Sequence, residues 1–277
     1  MKKLSFLFLL LVTCYACDEE PLQGENYVVE AYLYAGEKVD RIKIKQVEDI
    51  YTEETKNIIL SNAQITLKKS NVSYPLSFDI AQQTYTYGGS DLQIKVNDTF
   101  ELEVIVGDRI SNAVTIVPEA TKEISISGST IVIPPISIRL GIVEELTKLF
   151  NDARLTVGWN NLDDQLHFIV IENVVTGDPI FPPDFPIPDA TLQLIRSFSY
   201  ITAPTKNTNF EIPGLSLETY GTYRAKVYRV NQEYANLYDN QIQDSRDLNA
   251  PPSNIKNALG IFSAFASDSV FFEVVKQ

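Results

Sequence analysis

From residue 27 onward, apolar and polar positions alternate with a period of two, the mark of strands with one buried and one wet face. Tyr27 to Ala35 predicts a first strand. In Arg41 to Val47, Ile42 and Ile44 alternate with Lys43 and Lys45. Ala63 to Lys69 puts Ile65 and Leu67 on one face. Tyr74 to Phe78 and Thr84 to Tyr87 flank a turn, and Gly88-Gly89 ends the second of them. Phe100 to Val106 alternates as far as Gly107-Asp108, and Ala113 to Val117 stops at Pro118. About seven short strands in this span predict an antiparallel β-sandwich over 27–118.

The second half, 119–277, mixes signals. Glu119 to Pro135 is rich in Ser, Ile and Pro and reads as a connection with a strand. Gly141 to Asp152 predicts a helix, with Ile142, Val143, Leu146, Leu149 and Phe150 on one stripe that reads as a packed face. Strands resume at Arg154 to Trp159 and Leu166 to Val175. Pro182, Pro183, Pro186 and Pro188 exclude a central strand from the segment that follows. Thr191 to Ile201 fits helix or strand. Leu215 to Val230 predicts a strand, Gln232 to Asp239 a short helix with Tyr234 and Tyr238 four apart, and Val270 to Val275 a last strand.

Leu217 to Asn231 resembles the strand-F region of fibronectin type III domains, with Tyr223 in the place of the tyrosine corner. Val157-Gly158-Trp159 resembles their strand-B core Trp. Asp98-Thr99-Phe100 and Gly221-Thr222-Tyr223 echo each other. The expectation is an all-β protein of two tandem immunoglobulin/fibronectin-like β-sandwich domains, 27–118 and 119–277, the second with insertions and a few short helices.

Composition narrows the chemistry. The 277 residues include one His and two Cys, too few for a Cys/His zinc cluster, and the net charge of −13 disfavours nucleic acid. Lys2 and Lys3 precede an apolar run, Leu4 to Val12. At about nine residues it is too short to span a bilayer, and it reads as the core of a signal peptide over 1–16. Tyr15-Ala16-Cys17 follows and resembles the lipobox of bacterial lipoproteins. Lipid would then sit on Cys17, with Cys14 the competing position and an ordinary signal peptide the plain alternative. Cleavage there removes Lys2, Lys3 and Cys14, so the mature chain carries −15 and no free thiol. Asp18, Glu19 and Glu20 open an acidic tether over 17–26 and resemble the export signal of Bacteroidota surface lipoproteins. A solvated linker is the plain alternative.

Two segments carry a wider resemblance: Tyr27 to Glu37, and Pro251 to Phe262 followed by Ser267 to Val274. Both resemble the Bacteroidota lipoprotein family catalogued as domain of unknown function 4249. That resemblance implies an outer-membrane lipoprotein facing the cell exterior, often encoded beside TonB-dependent receptors, with no established activity and no catalytic residues. In the second segment Asn254 and Gly260, with the flanking prolines, read as a tight structural loop whose Ile261 and Phe262 plug a core.

A catalytic set is not legible. His167 lies on a predicted strand and reads as structural, and no nucleophile elbow accompanies it. Asp239, Asp244 and Asp247 share one loop and could offer oxygens to Ca²⁺, but their spacing departs from the EF-hand and a solvated acidic loop is the plain reading. No cofactor is expected. The aromatic excess is the better lead: Tyr32, Tyr34, Tyr85 and Tyr87, with Phe181, Phe185, Tyr234 and Tyr238 as candidate contact residues for a peptide, glycan or protein, and ordinary sandwich packing as the plain alternative. The leading expectation is a non-enzymatic lipid-anchored partner of a TonB-dependent nutrient transporter. The alternative is a surface adhesion or structural module, and the residue inventory disfavours a glycan or peptide hydrolase.

Overall fold

Strand-forming alternation produces the expected β fold, and its failures mark where the chain is buried on both faces. A computed structural model describes residues 27–46, 58–136, 142–181, 200–239 and 253–277. Seven strands form the first half: β1 (Tyr27–Tyr34), β2 (Ile42–Gln46), β3 (Gln64–Lys69), β4 (Val72–Asp79), β5 (Thr84–Thr86), β6 (Thr99–Val106) and β7 (Arg109–Ile116). The second half contains β8 (Lys122–Ile126), β9 (Thr130–Ile133), α1 (Ile142–Asp152), β10 (Arg154–Asn160), β11 (His167–Pro179), β12 (Asn209–Pro213), β13 (Thr219–Val230), α2 (Gln232–Asp239) and β14 (Leu259–Lys276). The fold is all-β, with sandwich-like sheets.

The strands of the larger sheet run β11-β13-β14-β1-β2-β5-β4-β3-β6-β7, with β9 also on β14; β12-β10-β8 form the smaller sheet. Strand β4 changes partners along its length, pairing Val72 to Leu76 with β3 and Ser77 to Asp79 with β5. It turns the corner between the two layers that enclose the first core, where Val29, Leu33, Ile44, Leu67, Phe100 and Leu102 meet. The second core sits between the β9/β14/β13/β11 layer and the smaller sheet. Val157, Trp159, Ile212, Tyr223 and Phe272 fill it, and Leu146 of α1 closes one side. Ile142, Leu149 and Phe150 also pack there, but Val143 is exposed, so the expected stripe is narrower by one residue.

The larger difference is β14. A strand over Val270 to Val275 is expected, and the observed one begins at Leu259. Ile261 to Ala266 are six consecutive buried residues, so the period-two signal disappears where both faces are covered. Its first half pairs in parallel with β1, from Val28 with Leu259 to Tyr34 with Phe265. The opposite edge pairs antiparallel with β13, from Val230 with Phe265 to Gly221 with Val274. Phe262, Ala264 and Ala266 enter the first core, whereas Phe272 and Val274 enter the second. Asp268 lies between them, exposed, where the strand passes from one core to the other. One strand thus belongs to both sandwiches, and residues 255–266 return to the core of the first half.

Gly260 and Asn254 set this entry into β14. Gly260, Ile261 and Phe262 are strand rather than loop. Gly260 has φ +111°, and a Cβ there would lie 2.0 Å from the Val29 carbonyl oxygen, so only glycine admits β1 this closely. The Asn254 amide imitates a neighbouring strand: Nδ2 donates to the Phe262 carbonyl at 2.7 Å, and Oδ1 accepts from its N–H at 2.9 Å.

Gly260→Ala is expected to cost about 2–4 kcal/mol, since it adds backbone strain to a clash with a backbone oxygen. Because β14 is common to both cores, urea unfolding followed by Trp159 fluorescence in the second core should move to lower denaturant with the first core. An unchanged Trp159 midpoint would disprove the coupling.

Candidate ligand-binding surface

The alternation that buries Val29, Ala31 and Leu33 turns Tyr32 and Tyr34 to the other side of β1, away from the first core. There they meet Phe265 of β14, which is 1% exposed and central to an aromatic cluster. Its ring stacks on Tyr34 at 5.0 Å and lies edge-on to Tyr234 at 4.9 Å; Tyr32 and Phe168 approach to 5.9 and 5.6 Å. Phe168 in turn stacks on Tyr228 at 4.8 Å. Geometries of this kind add to simple area burial.

Helix α2 lays its own aromatics along this surface. Tyr234 and Tyr238 are one turn apart, and their hydroxyls lie 3.1 Å from each other. A polar staple fixes the helix. Glu233 Oε1 accepts from Thr115 of β7 at 2.8 Å and from Ser263 of β14 at 3.3 Å, while Asn231 donates to the Ile116 carbonyl at 2.8 Å. The helix of the second half is therefore bolted to the sandwich of the first.

Beside the rings runs a ladder of ion pairs across the strands. Arg41 lies over the Tyr34 ring at 4.1 Å and pairs with Glu37 at 2.9 Å. Lys226 bridges Glu37 at 3.1 Å and Glu172 at 3.3 Å, and Arg224 closes on Glu172 at 2.5 Å. Burial opposes the charge on Glu172, but Arg224 and Lys226 outweigh it and lower its pKa. Burial likewise works against Lys226, and its bond to Glu37 reverses the balance and raises it. Burial pushes the Tyr34 phenol up to about 12 against the pull of Arg41, and raises Tyr32 and Tyr234 as well. All three phenols stay neutral near pH 7. Tyr32, Tyr34, Tyr234 and Tyr238 are half-buried over the buried Phe168, Tyr228 and Phe265, so the cluster sets packed rings and neutral hydroxyls beside fixed charges, features that noncovalent recognition uses.

Of the contact residues singled out from sequence, Tyr234 and Tyr238 lie on this surface. Phe181 does not: it is half-buried against the second core. Phe185 lies outside the described residues, as do Cys17, Asp18, Glu19, Glu20, Asp244 and Asp247; Asp239 is the last residue of α2. Trp159 and Tyr223 are both in the second core. Tyr223 donates to the Thr219 carbonyl at 2.9 Å, a tyrosine-corner contact, and stacks on Phe272 at 5.5 Å. Sequence reasoning missed Phe168, Tyr228 and Phe265, and the whole ion ladder. The available signal was the i, i+2 run Arg224, Lys226, Tyr228, which must share one face of a strand.

Two polar hollows lie where the halves meet. The larger, about 440 Å³, runs from Asn97 and Pro118 to Arg229 and Gln232. The smaller, about 210 Å³, reaches His167. Arg229 stands between them, paired with Asp163 at 2.8 Å. His167 is 2% exposed, its pKa is lowered chiefly by burial, and its Nδ1 lies 3.1 Å from the Gln165 carbonyl, so it sits as a packed neutral ring. Among the described residues, no three His, Cys, Asp or Glu side chains gather as a metal site.

A family model described as "Domain of unknown function (DUF4249)" matches residues 13–270. A search of the curated proteins finds no relative. Similar solved structures include a two fibronectin type III domain segment from chicken tenascin, 8% identical, with a TM-score of 0.24; the match covers 90% of this chain and 99% of that one.

Glu172→Gln removes a carboxylate whose pKa is lower in the folded than in the unfolded chain. Such a group stabilises the fold above about pH 4.3 and ceases to do so as the pH falls through its lowered value. The decline of Tm on acidification should therefore be shallower in Glu172→Gln than in the parent, measured by thermal scans from about pH 7 to pH 3.

Proposed function

We propose that this chain, which belongs to the family described as Domain of unknown function (DUF4249), is a non-enzymatic binding protein, held by lipid on Cys17 at the outer face of an outer membrane. Its role is to assist a TonB-dependent nutrient transporter, either by presenting the nutrient or by contacting the transporter. The observation that carries the binding part is the aromatic surface of Tyr32, Tyr34, Tyr234 and Tyr238 beside the Glu37/Lys226/Glu172 ladder. It concentrates the features of recognition, and the charges beside it are engaged with one another rather than set as a nucleophile and base. The anchoring part is supported by the apolar run Leu4 to Val12, the lipobox-like Tyr15-Ala16-Cys17 and the acids Asp18 to Glu20. Several acyl chains on one cysteine would hold the protein durably. The transporter is supported by the family resemblance alone.

Two measurements test this reading. In cells fed a radiolabelled fatty acid the protein should take up label, and Cys17→Ser should abolish it and release the protein from membranes; labelling that survives in Cys17→Ser refutes the anchor. Tagged protein purified in mild detergent should bring down an outer-membrane receptor barrel, with yield reduced at least several-fold in Tyr34→Ala/Tyr234→Ala. A deletion strain defective in attachment but normal in nutrient uptake would favour the adhesive reading.

A further inference from the structure

Strand direction gives the first sandwich two distinct ends. One carries the turn after β1 at Gly36 and the β3–β4 turn at Ser70 and Asn71, and from it the chain leaves at Val117 for the second sandwich. The other carries Tyr27, the first described residue, together with the end of β2, the β4–β5 turn and the β6–β7 hairpin. Contacts confirm this grouping. Tyr27 pairs with Gln46, whose N–H donates to the Ile58 carbonyl at 2.9 Å. The Tyr27 hydroxyl lies 2.5 Å from Ser111 Oγ, and the neighbouring Ile110 carbonyl accepts from Asn257 at 3.1 Å.

Three large apolar residues at this end are exposed. Ile58 is 44% exposed, Ile110 52%, and Ile80, in the β4–β5 turn, 83%. Lys256 is exposed beside them, in a bridge to Asn112. Exposed apolar residues occur elsewhere as well, in the same sandwich at Val72, Val96 and Ile116 toward the opposite end and Val114 on β7, and in the second half at Leu162, so exposure alone does not single out this end. It is at this end, however, that the chain approaches its own lipid: Cys17 precedes Tyr27 by ten residues, a reach of at most about 35 Å.

We propose that this end rests on the membrane, with Ile58, Ile80 and Ile110 dipping into the lipid interface and Lys256 reaching the headgroup phosphates. The inference rests on the lipid-anchor reading of Cys17 and adds an orientation to it. Aliphatic side chains at such a boundary bury apolar area in the acyl region, while a lysine keeps its charge at headgroup level. The second sandwich then points away from the bilayer, because β14 carries it outward from Leu259. Glu273, paired with Thr222 beside Val175, lies roughly 45 Å further along that strand. The aromatic surface stands between, clear of the lipid.

The test uses the lipidated full chain in vesicles of phosphatidylcholine and phosphatidylglycerol. With Cys17 acylated and Cys14 removed, Ile80→Cys and Val175→Cys each supply a single free thiol for an environment-sensitive fluorophore. Both sites are exposed, so neither substitution disturbs a core. Nitroxide on the lipid acyl chains should quench the Ile80→Cys label several-fold more than the Val175→Cys label. Equal quenching in protein that floats with the vesicles overturns the orientation and leaves the anchor standing. Protein that fails to float overturns both. An Ile80→Cys label that is shielded only on adding the detergent-purified receptor identifies this end as a protein contact and overturns the lipid proposal.

Discussion

The hydrogen bonding of β14 along both edges is the constraint on which the rest depends. With β1 on one side and β13 on the other, the strand cannot shift register without moving both cores. Its small residues follow from this. Gly260 admits the β1 backbone, and Ser263, Ala264 and Ala266 leave room for layers on both faces, while Phe262 and Phe265 on opposite faces supply the bulk. Asn254 completes the entry by occupying the backbone groups of Phe262, which would otherwise be buried without partners.

The aromatic surface follows from the same arrangement. Phe265 lies where β14 leaves the first sandwich for the second, so rings from β1, β11, β13 and α2 converge on it. Glu233 draws α2 onto this point by accepting from one residue of each flanking strand, and the ion ladder continues the surface across the seam. The surface is therefore composed of groups from both halves, and its geometry is as fixed as the pairing beneath it.

How much of this was legible in the sequence depended on how many faces each segment buries. Strands with one wet face, such as Ile42-Lys43-Ile44-Lys45 or Tyr27 to Tyr34, declared themselves by alternation, and Tyr223 by its turn. The stretch Ile261 to Ala266 did not, because a strand covered on both sides has no period and reads like any apolar run. Its flanking Pro251, Pro252 and Asn254 pulled the reading toward a loop. The one-turn spacing of Tyr234 and Tyr238 is legible in the sequence, whereas the grouping of Phe168, Tyr228 and Phe265 is not, because their common neighbourhood is made by strand order, which no local pattern encodes. Phe181 was misjudged for a related reason: proline-rich surroundings suggested exposure, but its ring had a core within reach.

The pairing of Val28 to Tyr34 with Leu259 to Phe265 joins the first and last strands among the described residues. During synthesis at about 5–20 residues per second, β1 waits on the order of ten seconds or more for that partner. Until then one edge of β1 is open and the first core lacks Phe262, Ala264 and Ala266. The first core is not complete before residues 259–266 are present, which makes this a slow-folding topology rich in distant contacts. A truncation after Ala266 would take Phe272 and Val274 from the second core alone, whereas one before Leu259 would strip both halves at once.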